Sequence, residues 1–390
     1  MNTQPKQIKG LNGLRALACL AVFGVHFQQI TGVSGSLGPF DVTRFFENGN
    51  TGVCLFFGLS GFLLSLPLWR SELSASSGPW LGKYLRSRAV RIVPVYYICL
   101  TALVIFQRHW TSGGKLADTL SHYLFVNNLS ERFFYQISSP FWSIALQVQF
   151  YVVLPLVFWL LCRASSNKSI QVSFILALSL GCYVLHYFIM ECGDQIGTNF
   201  GIQDFVTSRS TVFSHSVLAH MPHLLWGVFA GWLYLKLMAS KSSFRRTGLC
   251  EATVWISGLA VLVILGTSLD EVLQVPHGRY NFPFVPALIT AIIACTPLTT
   301  AACWLLDSLP LRRLGEISFG VYVFHLPCMK LVGRVLPLID YSAKENSLLF
   351  AILSFGLSIA VATISYIAIE RPLLRYVHQN DKRASLTEKT

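Results

Sequence analysis

The first run that could do chemistry is GLRALACLAVFGVHF, from Gly13 to Phe27, where Arg15 and His26 interrupt an otherwise apolar stretch. An ionisable side chain at bilayer depth is expensive and is by default a functional-site candidate. At 100° per residue their spacing puts both on one face of a helix, roughly 16 Å apart. A cation and an imidazole on one face could wall a polar cavity. Because imidazole titrates near neutrality, His26 could serve there as a general base. A snorkelling Arg15 and a His26 bonded to a neighbouring helix would explain the same residues.

Arg86, Arg88 and Arg91 form a second candidate, followed by Pro94 and the Tyr96-Tyr97 pair. Guanidinium groups hold phosphate through bidentate, charge-assisted hydrogen bonds, and three on one short helix could grip a polyphosphate. Juxtamembrane arginines also anchor to lipid phosphates, so that alternative stands beside the first. Gln147 and Gln149 lie in WSIALQVQFY, and Ser318, Tyr322 and His325 lie in ISFGVYVFHLP. Spacings of four and three residues place the latter three on one helical face. Each of these groups could equally be polar glue between helices.

The elements that must position these groups follow from composition. The chain has 390 residues, 53% hydrophobic and 12% charged, with a mean hydropathy of +0.54. Soluble domains carry about 25% charged residues, so a polytopic, all-α integral membrane protein is expected. About ten spans can be placed, near 11–31, 51–69, 92–107, 141–161, 170–190, 211–235, 252–269, 284–306, 317–337 and 347–369. The sixth is long and is expected to break at Pro222. The stretch from Trp80 to Arg91 mixes apolar and basic positions like an interfacial helix leading into the third span.

An even span count puts both termini on one side. With that side cytoplasmic, basic residues of inner segments outnumber those of outer loops about two to one. The net charge of +12 is then mainly a topology signal. Nucleic-acid binding would need a basic domain outside the membrane, which this chain lacks. The expected organisation is a cytoplasmic N-terminus over 1–10, a membrane domain over 11–372 and a flexible basic tail over 373–390, with no soluble domain attached.

The ten cysteines are scattered without a CxxC pair and read as small packing residues. His215, His220 and His223 invite a metal reading, but no acidic partner or HExxH accompanies them, and they read better as membrane-interface histidines. No metal is expected. There is no P-loop, no dinucleotide fingerprint and no GxSxG elbow.

Taken together the motifs resemble the membrane-bound acyltransferase-3 family. The matching runs are Gly13 to Ala18 with His26, Gly52 to Phe62, Arg88 to Pro94, Trp142 to Tyr151, Ser318 to His325, and Glu370-Arg371-Pro372, in order along nearly the whole chain. The resemblance implies transfer of an acyl group, usually acetyl, from cytoplasmic acyl-CoA to a carbohydrate hydroxyl, with Arg15, His26, Arg88 and Arg91 essential. It implies no permanently bound cofactor, with acyl-CoA as donor substrate. It also implies a glycan acceptor such as O-antigen, capsule or exopolysaccharide, and a bacterial inner membrane. Two positions depart from the family: Cys54 where Asp is usual, and Gln147 where Glu is usual. Gln147 can hydrogen-bond but cannot hold charge. Cys54, with no base adjacent in sequence, reads as inert.

On this reading Arg88 and Arg91, helped by Arg86, hold the CoA phosphates. Arg15 flanks the pantetheine arm and His26 deprotonates the acceptor. Gln147, Ser318, Tyr322 and His325 form a supporting polar set, with Ser318 and Tyr322 positioning the acceptor or polarising the thioester carbonyl. The rival readings are a transporter or flippase of a glycan precursor, in which the same residues line a path, acylation of a small glycosylated metabolite, and a scaffold that has lost activity.

Overall fold

The computed structural model describes residues 8–70, 79–107, 115–201, 209–240, 242–377 and 379. In chain order the elements are α1 (Leu11–Thr31), the two-residue strands β1 (Ser36–Leu37) and β2 (Phe40–Asp41), α2 (Val42–Glu47), α3 (Thr51–Trp69), α4 (Pro79–Phe106), α5 (Lys115–Tyr123) and α6 (Glu131–Phe134). Then come α7 (Phe141–Ala164), α8 (Lys168–Asn199), α9 (Ser210–Ser214), α10 (Val217–Met238), α11 (Ser243–Gly266) and α12 (Leu269–Leu273). The chain closes with α13 (Phe284–Cys295), α14 (Ala301–Leu306), α15 (Leu309–Glu316), α16 (Ser318–Val335) and α17 (Ser347–Ser365). A π-helical segment, Tyr366–Glu370, continues α17. β1 and β2 form a small antiparallel hairpin, with Ser36 opposite Asp41.

Helix occupies each of the ten expected places, yet eight helices among the described residues are long and apolar enough to cross a membrane. Two expected spans fall short for local reasons. α10 has 22 residues, but His220, Pro222 and His223 lower its apolarity. The 284–306 stretch is divided: a 12-residue α13, a 3-10 turn over Thr296–Leu298, then the six-residue α14. Pro297 begins that turn, where a missing N–H is harmless but a continuing helix would be broken.

One further expectation is corrected. The chain breaks before α10 at His215 and Ser216, not at Pro222, which lies inside the helix. Ser216 caps α10, its hydroxyl accepting from the Ala219 N–H at 3.3 Å. Pro222 falls in the second turn, where it forgoes a bond to the Leu218 carbonyl without ending the helix. The basic stretch expected to lead into the third span does so without a break, as the single 28-residue α4.

The contacts divide the chain into two compact units, residues 1–71 with 161–316, and 72–160 with 317–390. In the first, α3 and α10 pack closest. A Cβ on Gly227 would lie 2.1 Å from the Gly58 carbonyl oxygen, and one on Gly61 would lie 2.1 Å from that of Leu224. With no side chains between them the backbones touch, which is how membrane helices associate without a hydrophobic drive. Over the length of the contact Cys54 meets His223, Gly58 meets Gly227 and Ser65 meets Gly231, so the two helices run parallel. Gly10 starts α1 with φ +77, a conformation that costs glycine little, and its N–H donates to Asp307 at 2.9 Å. In the second unit α16 packs against α17 and α4, and α4 meets the π-helical segment.

Candidate functional site

In the first unit, α1 carries Arg15 and His26 as one unbroken helix. Arg15 is half-buried and its guanidinium donates to the Asn12 side-chain oxygen at 3.0 Å. His26 is buried, and its Nδ1 lies 2.9 Å from the Gln29 side-chain oxygen. An amide oxygen only accepts, so Nδ1 carries the proton and Nε2 of the neutral ring keeps a lone pair. That is the form a general base requires.

The close crossing of α3 and α10 has a chemical consequence one turn earlier on each helix. Four residues before Gly58 stands Cys54, and four before Gly227 stands His223. Cys54 Sγ lies 3.4 Å from His223 Nδ1, and both residues are buried. The thiol expected to be without a base therefore has one. His220 and His223, expected as membrane-interface histidines, are both buried within the protein, with ring centroids 5.6 and 5.2 Å from that of Tyr280. Among the described residues no group of three or more His, Cys, Asp or Glu could hold a metal ion.

In the second unit, α4 presents its arginines unequally. Arg86 is exposed, whereas Arg88 and Arg91 are half-buried. The helix accounts for this, since Arg88 and Arg91 stand about 60° apart while Arg86 points about 160° from Arg88. The Nε of Arg88 is buried with no hydrogen-bond partner among the described residues. Arg91 feels the charge of Arg88 and interacts electrostatically with Tyr151, Glu370 and Tyr366. Glu370 is buried inside the π-helical segment, and its Oε1 has no hydrogen-bond partner among the described residues. Such π-bulges recur at functional sites.

The Tyr322 and Ser143 hydroxyls are hydrogen-bonded to each other, one donating to the other, and both lie within hydrogen-bond reach of the Pro140 carbonyl oxygen, at 3.3 and 2.9 Å. His325 donates from Nδ1 to the Tyr322 carbonyl at 2.7 Å. Ser318 is the first residue of α16 and is buried. Gln149 bonds Asn128 and the Phe125 carbonyl, at 2.8 and 2.9 Å, and so belongs to the loop before α7. Gln147 is half-buried with its amide nitrogen unpartnered among the described residues.

Arg15 and His26 thus lie in one unit, and Arg86, Arg88, Arg91, Gln147, Ser318, Tyr322 and His325 in the other. Sequence reasoning missed Ser143, Asn12, Gln29 and the pairing of His223 with Cys54. It also missed Asp118 and His122 on α5, a buried pair whose Oδ1 and Nδ1 are 3.2 Å apart. The i, i+4 spacing of that Asp and His was the available signal.

A family model described as an acyltransferase domain matches residues 8–367. The O-acetyltransferase OatA of Staphylococcus aureus is 28% identical over 385 residues, covering 95% of this chain and 57% of its own length. The peptidoglycan O-acetyltransferase OatA of Listeria monocytogenes is 24% identical over 390 residues, covering 94% of this chain and 56% of its own length. This chain therefore spans a little over half the length of these relatives. No solved structure matches it.

Proposed function

The chain belongs to the acyltransferase-3 family of multi-pass membrane proteins, and from that premise we propose that it moves an acetyl group from acetyl-CoA to a hydroxyl of a cell-surface or secreted glycan. The observation that carries this reading is the hydrogen bond from His26 to Gln29, which leaves a basic Nε2 on a buried imidazole. In this reading both termini are cytoplasmic and the membrane is the bacterial inner membrane. Arg88 and Arg91 hold the CoA phosphates from the cytoplasmic side, through the bidentate, charge-assisted hydrogen bonds that guanidinium groups make to phosphate.

His26 takes the proton of the acceptor hydroxyl as its oxygen attacks the thioester carbonyl. His26 then returns that proton to the leaving CoA thiolate, which departs as the thiol. Arg15, held by Asn12 and roughly 16 Å from His26 along α1, flanks the pantetheine arm of the donor. The printed names of the relatives favour acetyl as the acyl group and a glycan as acceptor. The direct test follows labelled acetyl from acetyl-CoA into surface glycans by mass spectrometry, with and without the chain. Acetyl esters that depend on the chain support the reading. Glycans unchanged by its removal contradict it.

A further inference from the structure

The segment after α4 is built inside out. α5 exposes Leu116, Leu120 and Leu124, one turn apart along a single stripe, and Leu129 beyond it is exposed too. Its other face and the following turn bury Asp118, Ser121, His122, Asn127 and Asn128, the last three to 0% exposure. A helix in water shows the reverse pattern, and buried polar groups rather than exposed leucines are the informative sign. The leucine stripe suits a lipid-facing edge, while the polar face turns into the protein.

Burying polar groups is costly unless each is hydrogen-bonded. Some here are. Ser121 donates to the Asp118 carbonyl at 2.7 Å, Asn128 pairs with Gln149, and His122 Nδ1 contacts the Asp118 carbonyl at 3.0 Å and its carboxylate at 3.2 Å. Others are not. Among the described residues His122 Nε2, both side-chain polar atoms of Asn127 and the Ser138 hydroxyl have no partner. Because both contacts of Nδ1 are oxygens, Nδ1 carries the proton and Nε2 is an acceptor. The unused capacity is thus one ring acceptor, one amide that both donates and accepts, and the Ser138 hydroxyl.

Aromatic rings surround this capacity: Tyr96 lies 4.9 Å from both Phe125 and Phe141, and Phe141 6.2 Å from His122. An anion would face the Asp118 carboxylate and the Nε2 lone pair, so phosphate and carboxylate ligands are disfavoured. A neutral polyhydroxyl fits, since each hydroxyl donates once and also accepts.

We propose that the inward face of residues 115–129 is a saccharide subsite, in which a sugar hydroxyl donates to His122 Nε2, Asn127 exchanges hydrogen bonds with a neighbouring hydroxyl, and Asp118 holds the imidazole in the required tautomer. This rests on the glycan-acylation reading and names where the acceptor binds. His122 is a binding residue here and Asp118 a positioning residue.

The test uses the full chain in lipid nanodiscs with acetyl-CoA and a neutral N-acetylglucosamine disaccharide. Asp118→Asn and His122→Gln should each raise the KM for the saccharide by about tenfold, the cost of a mispaired hydrogen bond, while the KM for acetyl-CoA stays put. Should the variants fail to fold, the wild-type chain labelled with ¹⁵N-histidine provides the second measurement, and the disaccharide should shift the His122 Nε2 resonance. Normal transfer with an unchanged saccharide KM in both variants, or no shift in the wild type, overturns the subsite alone. Absence of any acetyl transfer by the wild type overturns the reading on which it rests.

Discussion

His26 and Gln29 are coupled within one turn of α1, the imidazole Nδ1 donating to the glutamine oxygen at 2.9 Å. This fixes which ring nitrogen is basic, a property no sequence motif states. Gln29→Leu should keep the fold, because Gln29 is exposed. It should lower kcat on the order of tenfold by freeing the tautomer, as expected for one lost hydrogen bond. Steady-state kinetics with acetyl-CoA would check this. Wild-type kcat in Gln29→Leu would remove the glutamine from the mechanism.

The three arginines of α4 should separate by function. Arg88→Ala and Arg91→Ala should weaken acyl-CoA binding, and lysine at either place should rescue poorly because the bidentate fork is lost. Arg86→Ala should have little effect, since Arg86 is exposed and points away from the other two. Calorimetric titration with CoA measures all three. Equal losses at Arg86 and Arg91 would fit a diffuse lipid anchor instead.

Gly227→Ala tests the crossing of α3 and α10. The added Cβ would meet the Gly58 carbonyl at 2.1 Å, a backbone atom that cannot rotate away. Overpacking of this kind costs about 1–3 kcal/mol. Thermal unfolding in nanodiscs should show a lower midpoint, and the Cys54–His223 contact should lengthen. An unchanged midpoint would mean the helices separate freely.

Gln147→Glu restores the carboxylate usual in the family. Gln147 has an unpartnered amide nitrogen and is half-buried, so a new charge there needs a partner to offset its desolvation. With Cys54 also replacing a family carboxylate, the chain is neutral at both positions, and the variant should turn over more slowly or fold less well. Higher turnover at normal stability would show instead that the charge is simply missing.

The places of the helices were legible because apolar runs near 20 residues leave few alternatives in a bilayer. Their crossings were not. Cys54 and His223 are 169 residues apart, and only the glycines four residues later on each helix bring them together. The break at 296–298 was hidden by hydropathy that continues across Pro297. α5 falls between two of the apolar runs because its leucine stripe alternates with Asp118 and His122. The inversion shows only once burial is known. Arg15 and His26 stood out in sequence because charge inside an apolar run needs no partner to be noticed.

The most direct measurement of the account is acetyl transfer by His26→Ala in purified, correctly inserted protein. Loss of a general base costs about 10²–10⁴-fold in rate. The account predicts a fall in kcat within that range, with CoA affinity and thermal stability preserved. Acetyl transfer at the wild-type rate in His26→Ala would contradict it.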